Sequence, residues 1–246
     1  MFLIGIDDTD NDTSRGTGYR ARCLGDALAA AGLGTVGGIT RHQLLVDDAI
    51  PYTSHNSSAC LSVAPAHAGA AGAIWNLCRE FLLREAAPGS DAGLCLATPD
   101  QALAAGAIGR DAQSRVLKAA PVQEAARNLG LRVEGLTGEK IGVIGAIAAV
   151  GLHASGSDGR YIWARNVREL AGTVLSLHEL IEQTGVESAR SLEGFEVSDP
   201  AALIELGPWP RPVRIAGKAV LLVERSDHEN VHWQVVDKQI IKSFHS

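Results

Sequence analysis

No cysteine pair spaced C-x-x-C occurs in this sequence, in which Cys23, Cys60, Cys78 and Cys95 stand singly. A zinc knuckle and a dithiol redox motif are thereby excluded, and the four read as small buried hydrophobes. No run of about 18 apolar residues is present, because the most apolar stretch, Ile141 to Leu152, is broken by glycines and stops too soon to span a membrane. An export signal is also missing: the apolar start Met1 to Ile6 is too short, lacks a basic flank and gives way to four aspartates by position 12. The expected address is therefore the cytoplasm, with no membrane partner. Positive charge is not in excess either. At a formal net charge of −6 the molecule as a whole repels phosphate backbones, so any grip on nucleic acid has to come from a local basic face. Internal repeats, low-complexity tracts and flexible linkers are absent. With 46% apolar and 20% charged residues over 246 positions, the chain reads as an ordinary globular protein of one large or two small domains.

The spacing predicts a strand at Phe2 to Ile6, a helix at Tyr19 to Ala31, strands at Gly37 to Val46 and Ala59 to Ala64, a helix at Gly69 to Glu85 and a strand at Gly93 to Ala97. That order is the split βαβ pattern of ferredoxin-like domains, with helices expected on one face of an antiparallel sheet. Beyond it come helices from Pro99 to about Ala105, at Asp111 to Leu129 and at Lys140 to Val150, with a strand between the last two near Leu131 to Glu134. A strand at Tyr161 to Ala164, a helix at Val174 to Gln183 and a hairpin of Ala219 to Glu224 with Val231 to Val236 complete the pattern. The expected fold class is α+β, a ferredoxin-like βαββαβ unit (residues 1–98) packed with a second α+β unit (residues 99–246), the boundary lying near Pro99.

The strongest local signal is Ile4-Gly-Ile-Asp-Asp-Thr-Asp-Asn-Asp-Thr-Ser-Arg-Gly-Thr-Gly-Tyr19. A hydrophobic strand ending in clustered carboxylates supplies hard oxygen ligands for Mg2+, with Asp7, Asp8 and Asp10 as the candidates. Hydroxyls and the glycines Gly16 and Gly18 at a helix start supply backbone N–H groups for phosphate. Crowding Asp7, Asp8, Asp10 and Asp12 into six positions costs repulsion that a divalent cation would offset, whereas a solvated turn with an N-cap is the bland alternative. A calcium loop starting at Asp8 would need glycine and glutamate where Thr13 and Tyr19 stand, so it is excluded. A haloacid-dehalogenase phosphohydrolase, which opens on a strand and D-x-D, stays open with Asp8 as nucleophile and Asp10 two positions on. Gly5-Ile-Asp7 also resembles the first phosphate loop of actin-like ATPases, whose chains are longer. A non-catalytic, ferredoxin-like nucleotide-binding regulator is a third reading.

A second signal is Gly138-Glu-Lys-Ile-Gly-Val-Ile-Gly-Ala146, a glycine-rich entry into an apolar helix with Lys140 at its mouth. Lys140 and Gly142 suit a phosphate opposite the metal, although glycines three and four apart serve close packing equally well. His42 beside Arg41, and His55 in a polar stretch, are placed to face a substrate or simply to line a surface loop. His228 and His232, four apart in a turn and strand, do not suit a shared metal. Trp209 among prolines is either a lid or packing.

These residues resemble the archaeal tRNA agmatinylcytidine synthetase family, which joins agmatine to the wobble cytidine of an isoleucine tRNA. Gly5-Ile-Asp-Asp-Thr-Asp10 with Arg15-Gly16-Thr17 looks like that family's kinase-type N-terminus, and Ile50-Pro-Tyr52 is similar to its proline–tyrosine turn. Ile144-Gly-Ala-Ile-Ala-Ala-Val-Gly151, Asp158 to Arg165 and the proline-rich stretch up to Gly217 resemble later segments. The resemblance implies a kinase-like catalytic core in which ATP phosphorylates the cytidine carbonyl oxygen and an amine displaces the phosphate. It implies Asp7, Asp8 and Asp10 as magnesium ligands, Asp7, Asp8 and Thr17 as catalytic residues with Thr17 the threonine that becomes phosphorylated, and Arg15 at the nucleotide. It covers the catalytic core only. The family's oligonucleotide-binding barrel and zinc ribbon have no counterpart here, which leaves a nucleic-acid substrate open, as it does a homodimer. Where the family carries basic residues after its proline–tyrosine turn this chain has Thr53, Ser54 and His55, and Arg211 replaces an aspartate between the later prolines.

Overall fold

The computed structural model describes residues 1–53 and 55–244; Ser54 lies outside the described residues. The chain divides into two compact units, Met1–Ser155 and Gly156–Ser246.

The first unit begins with β1 (Phe2–Asp7), α1 (Thr17–Ala30), β2 (Gly34–Gln43), β3 (Ser57–Pro65), α2 (Ala71–Glu85) and β4 (Gly93–Ala97). It continues with α3 (Pro99–Ala104), α4 (Gly106–Ser114), α5 (Ala119–Asn128), β5 (Arg132–Gly135) and α6 (Val143–Ser155). Its strands lie in the order β5-β4-β1-β3-β2, and every neighbouring pair is antiparallel. The division falls after Ser155 rather than near Pro99 for a physical reason. β5 pairs with β4 at the sheet edge and α6 packs on β1, β3 and β4, so the residues beyond Pro99 complete this unit's own sheet and core.

β1 is central, and its apolar run is buried on both faces. Side chains alternate along a strand, so Leu3, Gly5 and Asp7 share one face and Ile4 and Ile6 the other. Gly25 of α1 sits against Ile39 and Leu61, and Leu61 pairs with Ile4, which puts α1 on the Ile4 face. Gly5 looks at Ala146 of α6 on the opposite face. Helices therefore cover both faces of the sheet, not the single face expected from the split βαβ pattern alone. α6 explains the difference: from Val143 to His153 all of its residues but Ile144 are buried, and a helix apolar all round has to be enclosed, here by the sheet below and by α3, α4 and α5 above.

The single helix predicted over Asp111 to Leu129 is two, α4 and α5, separated by an extended turn at Arg115–Lys118. Pro121 is the reason. A proline is tolerated in the first turn of a helix, where its missing N–H would have no partner, but not in the interior.

His42, read as facing a substrate or lining a surface loop, is instead wholly buried. Its Nε2 lies 2.7 Å from Oγ1 of Thr40, and the same hydroxyl lies 2.8 Å from Nδ1 of His153 on α6. One hydroxyl carries one proton, so at least one of the two rings donates to it. Thr40→Val removes this hub and should lower the stability of the unit by about 1–3 kcal/mol, read from urea denaturation.

The second unit holds β6 (Arg160–Trp163), β7 (Val174–Ser176), α7 (Leu177–Gln183), β8 (Ser188–Ser191), β9 (Leu203–Glu205), β10 (Val213–Ile215), β11 (Lys218–Arg225), β12 (Trp233–Val235) and α8 (Lys238–Ser243). Its strands run β6-β10-β11-β12-β9-β7, with β8 alongside β11. The helix predicted from Val174 starts three residues late, because Ser176 and Glu179 form a reciprocal capping box that sets the first turn at Leu177. The predicted hairpin is present as β11 with β12. Trp209 packs against the Val213, Leu222 and Ile241 cluster, with Arg211 and Lys238 over its ring. His232 accepts a hydrogen bond from the Leu203 backbone N–H at 2.9 Å, while His228 lies beside Glu205.

Candidate functional site

β1 delivers its carboxylates to the end of the sheet. Asp7 is its last residue and, by alternation, lies on the α6 face. Its carboxylate nests against Gly145: a Cβ built there would stand 1.8 Å from Oδ2 of Asp7. Gly142 is in the same position toward Asp91 and Asp8, with a notional Cβ at 2.4 Å from the Asp91 carbonyl oxygen and 2.9 Å from Cβ of Asp8. The glycines at the start of α6 are therefore what lets a helix end come down onto the carboxylate loop. Asp8 follows with a positive φ of 50°, a left-handed conformation that aspartate adopts more readily than most residues, and it turns the chain out of the sheet.

The loop beyond is held by Thr17, the first residue of α1. Its Oγ1 donates to Oδ1 of Asp10 at 2.7 Å and accepts from the backbone N–H and hydroxyl of Thr9 at 3.2 and 3.1 Å. The Thr17 N–H also donates to Oδ1 of Asp10, and Thr53 donates to its Oδ2 at 3.0 Å. Both oxygens of Asp10 are thus engaged by hydroxyls and an amide. Asp12 is exposed, in a turn organised by Asn11 and Ser14, and stands apart from the other three.

Asp7, Asp8, Asp10 and Thr17 line one cavity of about 380 Å³. Its other walls are the β2–β3 connection, including Ile50, Pro51, Tyr52, Thr53, His55 and Asn56, the α4–α5 turn from Arg115 to Lys118, and Ile141, Gly142, Ile144 and Gly145 at the start of α6. Gln43 and Asn56 tie the β2–β3 connection together, with Asn56 Nδ2 donating to the Leu45 carbonyl and Gln43 Nε2 to that of Asn56. Of the residues picked from sequence, Asp7, Asp8, Asp10, Thr17, Gly142 and His55 meet at this cavity. Arg15, Gly16, Gly18 and Lys140 do not line it; Arg15 stacks over the Tyr19 ring at 4.5 Å, and Lys140 is exposed with a positive φ of 64°. Sequence reasoning missed Arg115, Lys118 and Asp91. The break signalled by Pro121 could have pointed to the first two.

Burial, then the like charge of Asp8 and to a lesser extent that of Asp10, hold the Asp7 carboxyl well above the ordinary carboxylate range, while a backbone hydrogen bond from Asp8 and the Arg41 charge pull the other way. Asp8 is pushed up to about 6, first by burial and then by Asp91, whose backbone hydrogen bond partly offsets it. These are carboxylates short of positive charge. Among the described residues no group of three or more His, Cys, Asp or Glu is arranged to hold a metal ion, and Asp10 is engaged by Thr17 and Thr53. A closed three-carboxylate cage is not what magnesium requires. It is commonly held by one or two carboxylates, with waters and substrate phosphates as the remaining ligands, and Asp7 and Asp8 fit that pattern.

No protein-family model matches the chain, and no curated protein matches it. Its fold is similar to solved structures. Apo TiaS, the agmatidine synthetase of an isoleucine tRNA, is 22% identical with a TM-score of 0.53, over 61% of this chain and 35% of that one. A tRNA fluorescent labeling enzyme is 24% identical with a TM-score of 0.54, over 61% and 35%. TiaS in complex with its isoleucine tRNA and ATP is 23% identical with a TM-score of 0.53, over 61% and 36%. At this identity the likeness shows the fold: 61% of the chain, about 150 residues, has the architecture of part of TiaS. The chain spans about a third of the length of the structures it matches. Among the described residues no helix is long and apolar enough to cross a membrane.

Proposed function

We propose that the chain is an ATP- and magnesium-dependent ligase or phosphotransferase, which activates an oxygen of its substrate by phosphorylation for attack by a small amine, with an RNA of the tRNA class as the substrate. The observation that carries this reading is the cavity, which carboxylates, the Thr17 hydroxyl and the glycine-rich start of a helix line together. The likeness to TiaS, solved with its tRNA and ATP and with AMPCPP and agmatine, supports it. The order β4-β1-β3-β2 with antiparallel neighbours supports a ferredoxin-like core for the first unit, here extended by β5 and α3 to α6. A cytoplasmic enzyme fits the same reading.

In this reading Asp7 and Asp8 hold magnesium, and Asp10 serves Thr17. When bound, magnesium would neutralise phosphate oxygens and favour phosphoryl transfer. The start of α6 adds its positive dipole end beside them. The hydrogen bond from Thr17 Oγ1 to Asp10 is that of a nucleophile on its base. As Oγ1 attacks the terminal phosphorus, its proton passes to Asp10 and the bond to the departing nucleotide oxygen breaks, leaving phosphothreonine; attack of the substrate oxygen on that phosphorus then breaks the bond to Oγ1, which takes its proton back from Asp10.

Magnesium–ATP should raise the thermal midpoint of the wild-type chain, and Asp8→Ala should remove that shift. An unmoved midpoint in the wild type, or full protection in the variant, contradicts the reading. Isolation of an aspartyl-phosphate on Asp8, in place of phosphothreonine, would favour the phosphohydrolase instead.

A further inference from the structure

The cavity is lined by charges of both signs. Asp7, Asp8 and Asp10 line it from the end of β1 and the loop after it, and the α4–α5 turn brings Arg115 and Lys118 to the same space. Those two cations are not equivalent. Arg115 is paired with Asp111 one helical turn before it, so its charge is already compensated. Lys118 forms no ion pair or side-chain hydrogen bond among the described residues and is exposed at the cavity. It is also the N-cap residue of α5, a ten-residue helix whose first turn holds no acidic residue and whose start has no side-chain cap. Ala119, the first residue of that helix, lines the cavity as well. An unpaired ammonium and the positive end of a helix thus open on the space that the carboxylates face.

A site that takes a nucleotide polyphosphate needs a counter-charge beyond the metal, because a triphosphate carries more negative charge than one divalent ion neutralises. We propose that Lys118 is that counter-charge, binding the non-bridging phosphate oxygens of the nucleotide from the α4–α5 turn that lines the same cavity as Asp7 and Asp8. The inference rests on the nucleotide reading above and adds to it a residue from a different element. A lysine acts here as a point charge on a flexible stem, so arginine can substitute for it where a neutral residue cannot.

The experiment uses the full chain, with magnesium–ATP as the titrant in calorimetry, for wild type, Lys118→Ala, Lys118→Arg and Arg115→Ala. Lys118→Ala should weaken binding by about 10- to 100-fold. Lys118→Arg should stay within about 3-fold of wild type, and Arg115→Ala should fall less than Lys118→Ala. The thermal midpoint without ligand should be the same in wild type and Lys118→Ala, since the side chain is exposed. Wild-type affinity in Lys118→Ala overturns the assignment while the nucleotide reading stands, and so does Lys118→Arg binding as weakly as Lys118→Ala. A wild-type chain that binds no magnesium–ATP overturns the nucleotide reading, and the role of Lys118 with it.

Discussion

Gly5→Ala should destabilise the first unit by about 3 kcal/mol or more, lowering its thermal midpoint by roughly 6–12 °C. The cause is a collision with backbone. A Cβ at position 5 would stand 1.9 Å from the carbonyl oxygen of Ala146 and 2.9 Å from its carbon, in the middle of the buried helix α6. No rotamer change relieves that contact, because neither partner is a flexible side chain. The strand is central, paired with β3 on one side and β4 on the other, so it cannot retreat without breaking both ladders. The comparison is Gly72→Ala in α2, where an added Cβ meets nothing within 4 Å. That change should be neutral or stabilising by up to about 1 kcal/mol, as expected for alanine replacing glycine in an exposed helix. Equal midpoints for the two variants would mean that α6 does not rest on β1 as described.

Asp7→Asn should have opposite effects on the free and the liganded protein. With no carboxylate to offer a metal, protection by magnesium–ATP, about 2.7 kcal/mol at a ligand concentration 100 times Kd, should vanish. At a pH high enough to ionise the wild-type Asp7, the unliganded variant should nevertheless melt higher than wild type, because a buried charge and its repulsion with Asp8 and Asp10 are removed. The pH dependence follows from the direction of the shifts. Both Asp7 and Asp8 have folded-state values above the 3.8 of an ordinary aspartate, so the folded chain holds protons that the unfolded chain has released. Their contribution to stability is full below about pH 4 and is lost as the pH rises through the folded values, about 6 for Asp8. Unliganded wild type should therefore lose stability from pH 4 to beyond pH 6, and Asp7→Asn should show a shallower loss. Protection by magnesium–ATP should run the other way, growing as the carboxyls deprotonate. Parallel pH profiles for the two proteins would remove Asp7 from the titrating set.

The parts of this molecule that a reader of the sequence can recover are those whose causes are local. β1, β4 and the helices after them carry their signal within a few residues, as a buried apolar run or a 3.6-residue period. The carboxylate loop is legible for the same reason, since Asp7, Asp8, Asp10 and Thr17 are neighbours in the chain. The rest depends on topology. Nothing near Lys118 says that it shares a cavity with Asp7, more than a hundred positions away, and His42 looks like a loop residue until α6 brings His153 over it. The boundary near Pro99 followed a complete βαββαβ count, but an exposed edge at β4 and an uncovered face of β1 both remained to be filled, and β5 and α6 fill them. Asp10 was grouped with its neighbours by charge, whereas its environment is set by Thr17 and by Thr53 from another loop.

The contact between α6 and the sheet is made where side chains are missing from both surfaces: Gly5 and Gly93 below, Gly142 and Gly145 above. At each of the four a single methyl would lie within 2.5 Å of an atom already there. These positions act as a template of hydrogens, spaced along the chain by the architecture and not by any ligand. Distant chains that share this backbone should keep that spacing after their loops have diverged, which makes it a fingerprint for finding relatives that ordinary similarity does not reach.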